Sequence, residues 1–144
     1  MIQNSLLNLV DEDTAAFNRI LEAFSLPKKS EEEKKIRHQA VQDATKNAIL
    51  IPFSVMEKAF SGFELIKAMA EKGNPNSITD AGVGALAIRA CIRGAFLNVK
   101  INASSLEDKE FVKIIIAKGK ALETNAEKAE AEILTIIGKS LNHD

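Results

Sequence analysis

The sequence predicts an all-α fold, an antiparallel bundle of about four long helices, one of them kinked at Pro52. Three observations carry this reading. Apolar residues recur three and four apart through most of the 144 residues. Boxes of the form S-x-x-E or S-x-x-D stand where new helices would open. The prolines fall at or near the expected breaks. No run alternates as an amphipathic strand does. The length suits one domain, 1–144, large enough to bury a helical core.

The first helix carries Leu6, Leu7, Leu9, Val10, Phe17, Ile20, Leu21 and Phe24 on one face, and Pro27 ends it. Ser30 and Glu33 then form a capping box, with Glu31 and Glu32 complementing the dipole of the new helix. That second helix is expected to run towards Ala70. Pro52 lies inside it and removes one backbone donor, so a kink or a junction of two helices is expected there. Gly73 and Pro75 mark the end. Ser77 with Asp80 reads as a second box, opening a helix to about Val99, and Ser105 with Asp108 as a third, opening a helix to about Ile137. LNHD reads as a loose tail.

The third helix contains Gly82, Gly84 and Gly94 among several alanines. Each glycine costs about 1 kcal/mol relative to alanine in a helix interior. A helix this thin suits either tight packing against neighbouring helices or close approach of a ligand.

Composition excludes several classes. A formal net charge of −1 gives no global field for nucleic acid or anionic membrane. Seven Phe with no Trp or Tyr do not suggest a base-stacking platform. The apolar runs read as too short to span a bilayer, and no leader pattern opens the chain, so a cytoplasmic protein without a membrane partner is expected. Cys91, the single cysteine, reads as a buried structural thiol. Two histidines, His38 and His143, with no E-x-x-H pair leave no metal centre. Phosphate-binding and nucleophile-elbow motifs are missing too.

What remains are polar residues on apolar stretches: Asp13 and Asn18 beside Phe17; Asn74, Asn76, Ser77 and Asp80 around the third helix start; and Asn98 and Asn102, four apart. Asp and Asn are poor choices for a helix interior on propensity alone. Such groups can bind an amide-rich heterocycle and move protons. Ser77 and Asp80 serve equally well as caps, and Asn102 as a helix end.

Three strings carry a family resemblance: LVDEDTAAFNRILEAFSLPK (9–28), EEKKIRHQAVQDATKNAILIPFSVME (32–57) and GNPNSITDAGVGALAIRACIRGAFLNVKIN (73–102). Together they resemble the cyclodeaminase domain of formiminotransferase-cyclodeaminase, a family that includes methenyltetrahydrofolate cyclohydrolases. The resemblance implies folate one-carbon chemistry of the kind used in histidine degradation. In it, 5-formiminotetrahydrofolate closes to the 5,10-methenyl form and releases ammonia. A tetrahydrofolate derivative would be the substrate, with no bound cofactor. On the matching positions it implies Asp13 and Asp80 as acid/base groups, and Asn18, Asn74, Ser77, Asn98 and Asn102 as substrate-orienting groups.

Family members carry a Pro-Gly-Gly-Gly loop and an Ala/Gly-rich helix ahead of the block matching Leu9, and neither has a counterpart here. The resemblance therefore implies an N-terminally truncated domain whose glycines would face a helix it does not supply. An uncovered apolar face favours a homodimer or higher oligomer. It also leaves a second reading open, that of an inactive helical remnant or an oligomerisation module.

Overall fold

The computed structural model describes residues 2–141, and every long element in it is a helix. The order is α1 (Ile2–Ser25), α2 (Glu31–Phe60), α3 (Gly62–Lys72), a 3-10 turn (Pro75–Ser77), α4 (Ile78–Ala103) and α5 (Lys109–Leu141). Four of the helices are long, as the periodicity predicts. Short connections join α1 to α2 and α4 to α5, the usual mark of antiparallel neighbours. The expected loose tail lies, from residue 142 onward, outside the described residues.

α2 occupies the middle, packed against α1 on one side and α4 on the other, while α3 and α5 close over α4. Fully buried Ile49 and Met56 of α2 meet Ile92 and Val99 of α4 and Ile133 of α5 in one core. α1 meets the rest of the molecule chiefly through α2. Of its residues only Ala16 and Ala23 are buried.

The Ser30–Glu33 capping box forms as read from the sequence, with both reciprocal hydrogen bonds present. The other two boxes do not. Ser77 makes no side-chain cap bond, because Pro75 starts a 3-10 turn there and Asn74 accepts from the Asn76 N–H instead. Ser105 turns its hydroxyl back to the Asn102 carbonyl. Asp108 takes the capping role at α5, its carboxylate accepting from the Phe111 N–H at 3.0 Å.

The junction of two helices that Pro52 could have marked, and the run towards Ala70, are placed differently. The hydrogen-bonded helix α2 runs on through Pro52, and the break comes nine residues later, at Ser61. There Gly62 lets α3 approach α4 so closely that a β-carbon would stand 2.9 Å from Ile88 Cδ1.

The glycines of α4 divide in a way the sequence did not show. A β-carbon on Gly82 would meet Ile137 Cδ1 at 3.0 Å, and one on Gly84 would meet Ile66 Cδ1 at 2.8 Å. These two therefore pack against α5 and α3 of this same chain. Only Gly94 of the three has open space before it.

The segment 75–103 also corrects the expectation about apolar length. With a mean hydropathy of 1.3 over its most apolar window, it is long and apolar enough to cross a membrane by composition. It is nonetheless the helix against which α2, α3 and α5 all pack.

Candidate functional site

Because α1 and α4 both lean on α2 without packing closely on each other, a cleft opens between them with α2 as its floor. Two adjoining cavities fill it. The larger, about 430 Å³, is mostly apolar, with Leu9 and Val10 on α1, Pro52 and Val55 on α2, and Cys91 and Ala95 on α4. The smaller, about 170 Å³, is walled by Phe17, Ile20 and Ala48 together with Asn102. Asp13 and Asn98 line both, and so stand at the junction between them.

Helical geometry explains the convergence. Asp13 and Phe17 share a face of α1, and Asn98 and Asn102 share a face of α4, each pair four residues apart. Asp13 and Asn98 are exposed in the cleft, while Asn102 is half-buried. An apolar slot ending in a carboxylate and two amides can hold a flat heterocycle and move a proton at its polar end.

Asn102 is held by an arrangement that begins with Pro52. A proline at 52 has no N–H to give the carbonyl four residues earlier, that of Ala48. The Asn102 side-chain amide donates to that carbonyl instead, at 2.9 Å. One side chain thus repairs the α2 ladder and pins the end of α4 onto it. Its amide oxygen is left for the cleft.

The remaining residues singled out by sequence lie elsewhere. Asn18 is exposed on α1 and lines neither cavity. Asn74, Ser77 and Asp80 gather at the opposite end of α4. Asp80 and Asn98 are separated by 18 residues of one helix, roughly 27 Å of rise. Within a single chain the two candidate carboxylates, Asp13 and Asp80, therefore belong to different regions.

Cys91 departs from its reading as a buried thiol. It is an exposed residue on the cleft wall, where partial burial pushes its thiol above the ordinary value. Thr14, Pro52 and Val55 are further lining residues that sequence alone did not assign to a site. Their apolar or back-bonded character reads as core until the helices are placed. Among the described residues, no group of three or more His, Cys, Asp or Glu is arranged to hold a metal ion.

Comparison with known proteins bears on this arrangement. Residues 1–121 match the formiminotransferase-cyclodeaminase family. The methenyltetrahydrofolate cyclohydrolase of Methylorubrum extorquens is 37% identical over 110 residues, covering 76% of this chain and 53% of that protein. The formimidoyltransferase-cyclodeaminase of Gallus gallus is 31% identical over 136 residues, covering 94% of this chain and 25% of that one. The chain thus spans about half the length of the first relative and a quarter of the second. The crystal structure of formiminotetrahydrofolate cyclodeaminase from Thermotoga maritima superposes with a TM-score of 0.78 at 23% identity. It covers 93% of this chain and 63% of that one, which establishes a shared helical fold. On its sequence, the chain belongs to the formiminotransferase-cyclodeaminase family.

Proposed function

We propose that the α1–α4 cleft binds a tetrahydrofolate derivative and that the chain acts in folate one-carbon metabolism as a formimidoyltetrahydrofolate cyclodeaminase, working in the cytoplasm as a homo-oligomer. The observation that carries this reading is the junction of the two cavities, where Asp13 and Asn98 stand between an apolar slot and a polar end. Family membership supplies the substrate class.

In this reading the pterin ring lies in the larger cavity against Leu9, Val10, Pro52 and Val55. Asn98 and the free oxygen of Asn102 hold the formimino group. N10 attacks the carbon of the protonated formimino group, a C–N10 bond forms as the C=N bond to the formimino nitrogen becomes single, and N10 gives up its proton to the Asp13 carboxylate. Return of that proton to the formimino nitrogen lets the C–N bond break and ammonia leave, which yields the 5,10-methenyl product. A positioned carboxylate contributes typically 10²–10⁴-fold to such a step.

Cyclohydrolase chemistry makes the alternative demand at the same carbon, with water adding to a methenyl group. The similarity to the Methylorubrum extorquens protein favours this second reading. The test is to supply purified chain with 5-formiminotetrahydrofolate or with 5,10-methenyltetrahydrofolate and follow the methenyl chromophore. Its appearance with release of ammonia supports the cyclodeaminase, and its disappearance supports the cyclohydrolase. No change with either substrate sinks both.

A further inference from the structure

We propose that Pro52 acts as a positioning residue for the proposed reaction. By leaving the Ala48 carbonyl without its helical donor, it fixes which end of the Asn102 amide faces the cleft. The site then takes a one-carbon unit ending in N–H over one ending in oxygen. The inference rests on the proposed function for its ligand, but on the hydrogen bond between α4 and α2 for its geometry.

A buried carbonyl without a donor is costly. For Ala48, 5% exposed, the donor would ordinarily be the N–H of residue 52, and proline has none. The Asn102 amide stands in for it at 2.9 Å. A carbonyl oxygen only accepts, so this contact settles the orientation of the amide, with Nδ2 on Ala48 and Oδ1 turned away from it. Turning the amide over would take the donor from the Ala48 carbonyl and set two acceptors face to face.

An ordinary residue at 52 would lift that constraint. Its N–H would satisfy Ala48 within α2. The carbonyl would still have a second lone pair for Asn102, but a turned amide would no longer orphan it. The proline thus imposes one orientation on a side chain that packs onto α2 from a different helix.

The other amide of the cleft is not held in this way. Asn98 lines both cavities and makes no hydrogen bond among the described residues, so it can offer either its oxygen or its NH2. Asn98 adapts and Asn102 does not. Ala48 and Asn102 both line the smaller cavity, and among the described residues the Asn102 Oδ1 has no protein donor. Whatever meets that oxygen must donate. A protonated formimino group ends in N–H bonds and satisfies it. A formyl group on the same nitrogen of the substrate ends in oxygen and would leave two acceptors together. The same Oδ1 suits the departing nitrogen, which regains positive charge as it takes up its third hydrogen before leaving.

Kinetics, ligand preference and amide exchange test this. Pro52→Val keeps apolar bulk on the cavity wall and restores the N–H. It should melt no lower than the wild type, yet close 5-formiminotetrahydrofolate with kcat/KM about tenfold lower, the size of one weakened hydrogen bond. Asn102→Ala should lose at least as much. The double variant should be no worse than Asn102→Ala alone, because Pro52 acts through that amide. 5-Formyltetrahydrofolate carries oxygen in place of the terminal NH. It should inhibit the wild type only at concentrations about tenfold or more above the KM of the formimino substrate, and should inhibit Pro52→Val more strongly than the wild type. By NMR, the Asn102 side-chain NH2, identified by its loss in Asn102→Ala, should exchange one hydrogen slowly with solvent, and faster in Pro52→Val.

Additive losses in the double variant would make Pro52 a wall of the cavity only and overturn its positioning role. So would a Pro52→Val chain with unaltered kcat/KM. Equal affinity of the wild type for the two ligands would overturn the selection. Should Pro52→Val not fold, the wild type decides through that ligand preference and its Asn102 amide, and rapid exchange of both amide hydrogens overturns the proposal. A wild type that closes no formimino group refutes the proposed function by itself. Calorimetric titration of both ligands, then free of turnover, still reads the preference, and a formyl ligand bound as tightly as the formimino one, or neither bound, overturns it.

Discussion

The two faces of α4 follow different rules. The inner face buries Ala81, Ala85, Ile92, Phe96 and Val99 against α2, α3 and α5, and there glycine is used where neighbours crowd in. The outer face, with Val83, Leu97 and Ile101 each more than 60% exposed, repeats apolar residues just as regularly yet leaves them open, and a β-carbon on its glycine, Gly94, would meet nothing within 4 Å. A periodic apolar pattern therefore reports that a face is meant to be covered, but not by what. On the inner face the cover is the chain's own fold.

Substitutions that remove the same atoms from each face sharpen this contrast. Ile92→Ala empties a fully buried site and is expected to cost about 2–5 kcal/mol of stability. Ile101→Ala, at a position 67% exposed, should change chain stability by no more than about 0.5 kcal/mol. Chemical denaturation of both variants measures the difference between the two faces.

Asn102→Ala comes next. It leaves the Ala48 carbonyl beside Pro52 without a donor, at an expected cost of about 1–3 kcal/mol. Asn98→Ala, four residues away with no such bond, should leave the melting temperature nearly unchanged.

Glycine substitutions give a smaller contrast of opposite sign. A β-carbon at Gly119 would run into the Phe96 ring, so Gly119→Ala should destabilise by about 1–3 kcal/mol. Gly94→Ala should raise helix stability by up to about 1 kcal/mol.

The smallest effect is in pH. The hydrogen bond from Lys46, followed by that from the Phe111 N–H, holds the Asp108 carboxyl below its ordinary value of 3.8. Its folded pKa is depressed, so its contribution to stability is present above that value and fades as pH falls through the lower one. Below pH 4, Asp108→Asn should lose less stability on further acidification than the wild type does.

Much of the fold could be read in the sequence because its signals are local. The Ser30–Glu33 box, the end of α1 before Pro27 and the length of α5 depend on neighbouring residues alone. What could not be read depends on distant partners. The helix survives Pro52 because Asn102, fifty residues on, supplies the missing contact. It breaks at Ser61, where Gly62 passes close to Ile88. The boxes at Ser77 and Ser105 are short patterns, overruled by Pro75 and by the better-placed Asp108. For the site, the candidate residues could be named from the matching strings but not grouped. Asp13 meets Asn98 and Asn102 only once α1 and α4 are both laid on α2, and Asp80 ends up at the far end of its helix.

The central claim is that the α1–α4 cleft holds the folate, and calorimetric titration of a tetrahydrofolate tests it most directly. Asn98 lines both cavities and anchors nothing else among the described residues. The account predicts saturable binding by the wild type and affinity at least about tenfold weaker in Asn98→Ala, a loss of about 1.4 kcal/mol, with the circular dichroism unchanged. Equal affinity in the two chains, or no binding by the wild type, would contradict it.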